Sequence, residues 1–195
     1  MGRILTAVSA PPTYAAQVQD AARRLLSTGA GGLAPLFDLT SDRLVRFAVA
    51  ITRSQHDAED CVQAVLVRVA GSPGLLAGAD SPWAYLLRMV RNEALLICRK
   101  KKWRLFSTGL CDLVTFCRVD ELEREEMHRA VWRALRMLPR EQAEVVALKV
   151  WEELTFAEIG QVLDISPNTA ASRYQYALPK LARMLAPHRT GATHA

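Results

Sequence analysis

The sequence has no CxxC pair. Its four cysteines, Cys61, Cys98, Cys111 and Cys117, lie at spacings that exclude a zinc ribbon and a thioredoxin-like site. Cys111, Cys117 and His128 are the one conceivable metal set; reduced thiols in a cytosolic protein are the plainer reading, and no metal or cofactor is expected. The histidines, His56, His128, His188 and His194, are scattered, and there is no HExxH, P-loop or nucleophile elbow. An enzyme is therefore the class with least support. No stretch approaches the ~20 uninterrupted apolar residues of a membrane span. The apolar run Ile4–Val8 is too short for a signal peptide and Pro11-Pro12 follows it, so a cytoplasmic location with no membrane partner is expected. No segment alternates with period two over a strand's length, which leaves an all-α fold.

Half of the 195 residues are hydrophobic, enough for a sizeable core in one large or two small domains. The net charge of +5 suits nucleic acid or an anionic surface, but only its distribution can decide.

Residues 1–32 read as an N-terminal appendage with one helix over about 14–26, punctuated by Pro11-Pro12 and by Gly29, Gly31 and Gly32. Three helical patterns follow, over about 33–52, 57–69 and 82–104. The second opens on Asp57, Glu59 and Asp60, where the helix dipole favours acids, and stops at Gly71-Ser72-Pro73. Ser81 and Pro82 cap and open the third. Residues 105–119 have no clear period and read as a flexible linker. Helices resume over about 120–138, 140–151, 155–163 and 166–184, with the second domain at 120–186 and a tail at 187–195. The expectation is two small helical bundles joined by a linker.

The stretch LTFAEIGQVLDISPNTAASRYQYALPKLARML has the spacing of a helix-turn-helix. Thr155 and Glu158 form a capping box. Gly160 sits where two helices must pack closely, Asp164-Ile165 turns the chain, and Ser166-Pro167 opens the second helix. Ala170, Ala177, Leu178 and Leu181 can face the core, while Asn168, Thr169, Ser172, Arg173, Gln175 and Tyr176 are free to read base edges and hold phosphates. No acid occurs after Asp164, whereas Arg173, Lys180, Arg183 and Arg189 do, giving one end a positive surface. An ordinary helical hairpin is the competing reading of this stretch.

In the second helix Asp60, Gln63 and Val67 share a face at spacing i, i+3, i+7, which suits a protein partner or, more plainly, solvent. From Trp83 to Arg104 the third helix carries seven Lys or Arg against the single acid Glu93, with Trp83, Tyr85 and Trp103 interleaved. Basic residues neutralise phosphates and aromatic faces stack on unpaired bases; Trp83 and Tyr85 are equally readable as core.

In this order the pieces resemble the extracytoplasmic-function sigma factors of the sigma-70 family, over about residues 33–186. DAEDCVQAVLVRV is similar to the region 2 helix that docks on the largest polymerase subunit, and WAYLLRMVRNEALLICRKKKWR to the part that melts and reads the minus-ten element. LPREQAEVVALKVWEELTFAEIGQVLDISPNTAASRYQYAL is similar to region 4, which reads the minus-thirty-five element. The resemblance implies that Asp57, Glu59, Asp60 and Gln63 contact core RNA polymerase. The loop 71–81 and Trp83, Arg88, Arg91, Asn92, Arg99, Lys100, Lys101 and Lys102 serve the minus-ten strand. Asn168, Thr169, Ser172, Arg173 and Tyr176 face the minus-thirty-five DNA. Core polymerase and promoter DNA are the implied partners, with an anti-sigma factor as a further one.

Some positions depart from the family. The corner, usually glycine, is Asp164; Tyr176 stands where arginine is common and Ala171 where lysine often is; Pro179 falls inside the last helix, which it should kink or end. Two other functions stay open on the residues alone. A stand-alone helix-turn-helix regulator would bind operator DNA without core polymerase, and a helical adaptor or sigma-factor antagonist would bind a protein partner and no DNA.

Overall fold

A computed structural model describes residues 13–107 and 126–189 of the chain, and among them every regular element is helical. Helix α1 spans Tyr14–Thr28 and leads through a 3-10 turn, Gly29–Gly32, into α2 (Leu33–Thr52); α3 (Gln55–Gly71), α4 (Pro73–Ala77) and α5 (Pro82–Ser107) complete the first bundle. The second comprises α6 (Glu126–Met137), α7 (Arg140–Val150), α8 (Phe156–Leu163) and α9 (Pro167–Arg189). No described helix is long and apolar enough to cross a membrane.

The core of the first bundle is the stripe expected from periodicity. Leu36, Leu44, Phe47, Ala48 and Ile51 of α2 pack with Ala58, Val62, Val65, Leu66 and Val69 of α3 and with Leu86, Leu87, Val90 and Ala94 of α5. The acid-rich start of α3 is capped by Ser54, whose hydroxyl accepts from the Asp57 N–H. Within 71–81, read as a loop, α4 is a short helix held down by buried Leu76.

Three expectations change. Residues 14–32 are part of the bundle and no appendage: α1 buries Val18, Ala21, Ala22 and Leu25 against α2, α4 and α5. Gly32 makes that turn possible, since a Cβ there would lie 2.5 Å from the Leu25 Cα. Pro179 does not end the last helix, which continues through it to Arg189. The proline ring lies on the exposed side, where the Gln175 carbonyl it leaves unpaired can meet water. Leu178, expected in the core, is 44% exposed; Tyr174 takes that role, with its ring 5.8 Å from Phe156.

The two bundles are also not held apart. Helices α2 and α5 of the first pack on α7 and α8 of the second. This explains α7, whose run Ala143–Leu148 is buried without interruption: one side meets α9, the other α2. A helix covered on both sides carries no amphipathic stripe.

Candidate nucleic-acid and polymerase interface

The helix-turn-helix is built by local chemistry. Thr155 accepts from the Glu158 N–H, and the Glu158 carboxylate accepts from the Thr155 N–H at 2.7 Å, closing the capping box. The Thr155 hydroxyl, which donates to the Glu158 carboxylate at 2.7 Å, and the Thr155 N–H hold that carboxyl below its usual range. Asp164 adopts the left-handed conformation, φ 55° and ψ 51°, which aspartate tolerates better than most residues; it does the work the family usually gives to glycine. A Cβ on Gly160 would stand 2.7 Å from the Ile165 carbonyl oxygen, so only glycine allows this turn. Ser166 accepts from the Thr169 N–H at 3.0 Å and starts α9.

On α9, Ala170 and Ala177 are buried, and Asn168, Thr169, Ser172 and Tyr176 are exposed together with half-buried Arg173. The five residues assigned to upstream DNA thus share one accessible surface. The Thr169 hydroxyl also bonds to Ser166 Oγ at 2.8 Å, and Lys180 is tied to Gln142 of α7.

On α3, Asp60, Gln63 and Val67 form the expected exposed row, Val67 being 72% exposed. Glu59 is exposed and accepts from Gln55 at 2.7 Å; Asp60 lies 3.7 Å from His56. Asp57 departs from the group. It is 8% exposed and forms an ion pair with Lys101, tying the basic end of α5 to the start of α3, so it is no surface contact in this arrangement.

The minus-ten set divides as well. Arg88, Asn92, Arg99, Lys100 and Lys102 are exposed. Trp83 is no stacking platform: it is 3% exposed, edge-on to Tyr14 at 5.0 Å, with its indole N–H unpartnered. Trp103, 77% exposed, is an aromatic available beside the basic run among the described residues. Lys101 is engaged by Asp57, and Arg91 Nε lies 3.1 Å from the Glu144 carboxylate of α7.

Between the bundles is a charged layer that sequence reading missed. Glu144 meets Arg91 and Arg140; Glu152, just after α7, meets Arg43 at 3.0 Å and Arg46 at 3.8 Å. Both glutamate side chains are 1% exposed. Burial pushes each carboxyl upward against the lowering effect of Arg91 on Glu144 and of Arg43 on Glu152. Arg43 also donates to the Trp151 carbonyl at 2.7 Å and lies 3.9 Å from the Tyr14 ring centre; Arg53 donates to the Leu138 carbonyl. The only sequence hint was Glu144 inside an otherwise apolar run.

No group of three or more potential metal ligands occurs among the described residues; Cys111, Cys117 and the His128 side chain lie outside them. Cys61 is buried and its thiol is pushed up to about 12 by burial, which leaves it unreactive.

Residues 36–104 match the model of sigma-70 region 2 and residues 128–181 that of sigma-70 region 4. The chain is 29% identical over 141 residues to the RNA polymerase sigma-E factor of Streptomyces avermitilis, covering 72% of this chain and 77% of that one. It is 28% identical over 156 residues to the ECF RNA polymerase sigma factor SigM of Mycobacterium tuberculosis, covering 80% and 78%. Its fold is similar to that of the sigma factor RpoE from Bartonella quintana, solved with the anti-sigma factor NepR, at a TM-score of 0.64 and 20% identity over 86% of this chain and 97% of that one. It is similar also to CnrH, solved with the cytosolic domain of CnrY, at a TM-score of 0.60 and 18% identity over 88% and 98%. With regions 2 and 4 matched in order on two helical bundles, the chain belongs to the extracytoplasmic-function sigma factors of the sigma-70 family, the subunits that bring core RNA polymerase to promoters.

Proposed function

We propose that this sigma factor divides its work among three surfaces, on α3, α9 and α5. Glu59, Asp60, Gln63 and Val67 on α3 dock on core polymerase. Asn168, Thr169, Ser172, Arg173 and Tyr176 on α9 read the upstream promoter element. Arg88, Arg91, Asn92, Arg99, Lys100 and Lys102 on α5 hold the separated strand near the start site. The observation that carries the reading is the split of charge: an acidic and aliphatic row on α3, basic and hydrogen-bonding surfaces on α5 and α9. Phosphate neutralisation supplies binding and register, and base-edge bonds supply sequence preference. Unstacking costs a few kcal/mol per base, which cations along α5 offset by holding the opened strand. Nucleotide addition belongs to the core enzyme, so the chain is no enzyme itself, and it works in the cytoplasm. RpoE was solved with the anti-sigma factor NepR and CnrH with the cytosolic domain of CnrY, and an anti-sigma protein is a further partner for this chain.

The test is run-off transcription with bacterial core polymerase on a promoter library. The reading expects transcripts that appear only when this protein is added. An unchanged transcript set, with operator binding in the absence of core, would favour a stand-alone regulator.

A further inference from the structure

On α9 the side chains change character along one exposed stripe. Thr169, Ser172, Tyr176 and Pro179 follow one another at i, i+3, i+7 and i+10, and all four are exposed, so they share a face of the helix. Asn168 and half-buried Arg173 flank the first half of the stripe. That half is polar: an amide, two hydroxyls and a guanidinium. The second half is apolar, a phenol ring followed by a proline ring. Between Ser166 and Pro179, Arg173 is the only charged residue.

Tyr176 is 68% exposed. Among the described residues no hydrogen bond, ion pair or ring contact takes up its side chain. The nearby Tyr174 is the tyrosine that packs, its ring against Phe156, and Ala177 is the residue that α9 buries next. The Tyr176 ring is left to the surface that meets DNA.

Base edges in the major groove present donors, acceptors and one apolar group, the C5-methyl of thymine. A phenol ring laid over a donor or acceptor strips it of water and returns no bond. Laid over the methyl, it buries apolar surface against apolar surface. A tyrosine also loses little rotamer freedom on contact. Tyr176 lies eight residues beyond Asn168. That is about 12 Å along the helix axis, or roughly three to four base-pair steps of about 3.4 Å.

Resting on the reading of α9 as the helix that meets the upstream element, we propose that Tyr176 is a specificity-determining residue. Its ring sits against the methyl of a thymine, roughly three to four base pairs from the base that Asn168 meets. Arg173 and the hydroxyls set the polar part of the element, and Tyr176 sets one apolar position in it. With a single cation on this stretch, phosphate neutralisation supplies less of the affinity, so a contact of this kind carries more of the choice between sequences.

The experiment enriches bound sequences from a pool of randomised duplex DNA, using the full chain assembled with core polymerase. The wild type should enrich a motif in which one upstream position is thymine. Tyr176→Phe keeps the ring and should keep that thymine. Tyr176→Ala should make the position indifferent while the rest of the motif stays. Tyr176→Arg should replace thymine with guanine, the base an arginine fork reads. Deoxyuridine in place of the thymine removes only the methyl. It should weaken wild-type binding about four-fold, the worth of one buried methyl group, and leave Tyr176→Ala unaffected. Each variant changes an exposed side chain, and circular dichroism checks that it is folded. A thymine that persists in Tyr176→Ala or Tyr176→Arg, one lost in Tyr176→Phe, or equal wild-type binding of the two duplexes overturns the proposal. A motif with no upstream thymine overturns the assignment of Tyr176 alone. If no motif emerges at all, the reading of α9 fails and the proposal fails with it.

Discussion

At Gly160 a single methyl group is too much. Its Cβ would meet the backbone oxygen of Ile165 at 2.7 Å, and a backbone atom cannot swing aside as a side chain can. Gly160→Ala should lower stability by about 1–3 kcal/mol, read as a drop in the urea midpoint; an unchanged midpoint would contradict the tight turn. At the same corner, the Glu158 carboxyl is held below its usual value by Thr155. Its contribution is complete above the ordinary carboxylate range and is lost as pH falls through the lower folded value. The stability gap between wild type and Glu158→Gln should therefore shrink on acidification below about pH 4.5; a gap that widened in acid would reverse the assignment. Both residues were legible in the sequence because their partners lie within five positions. Asp57, Lys101 and Trp83 were not. Their partners, 44 residues away for the ion pair and on α1 for the indole, depend on how helices pack, and no periodicity reports that.

At the scale of the element, α3 and α9 each present one face that the fold does not consume. Helical spacing found both, since a buried stripe at 3.6 residues per turn fixes what remains outside. It failed for α7, buried on two sides, and for α1, taken as an appendage because glycines and prolines surround it. On α9, Arg173→Ala should cost about 1–3 kcal/mol in binding to upstream-element duplex, seen by anisotropy with the holoenzyme, with core affinity unchanged. A fall in core affinity with intact DNA binding would move the recognition face elsewhere. Trp83→Ala should act through packing, with a loss of about 3–5 kcal/mol in stability. A variant as stable as the wild type but defective only in melting would restore Trp83 as a stacking residue.

Across the whole molecule, the order of the motifs pointed to two helical bundles, and that division stands. What composition and pattern could not convey is their mutual packing. Sequence pattern assigned Arg91 to the minus-ten strand and gave Glu144, Glu152 and Arg43 no role; only in the folded chain do the four meet between the bundles. That layer ties Arg91, assigned to the opened strand, to Glu144 of α7 in the other bundle. The claim everything else rests on is that the acidic row of α3 grips polymerase independently of the recognition helix. It is tested most directly by the affinity for core RNA polymerase of three chains: wild type, Asp60→Lys and Arg173→Ala. Charge reversal at Asp60 should abolish core binding while Arg173→Ala leaves it intact. Core binding that survives the reversal at Asp60 would contradict the account.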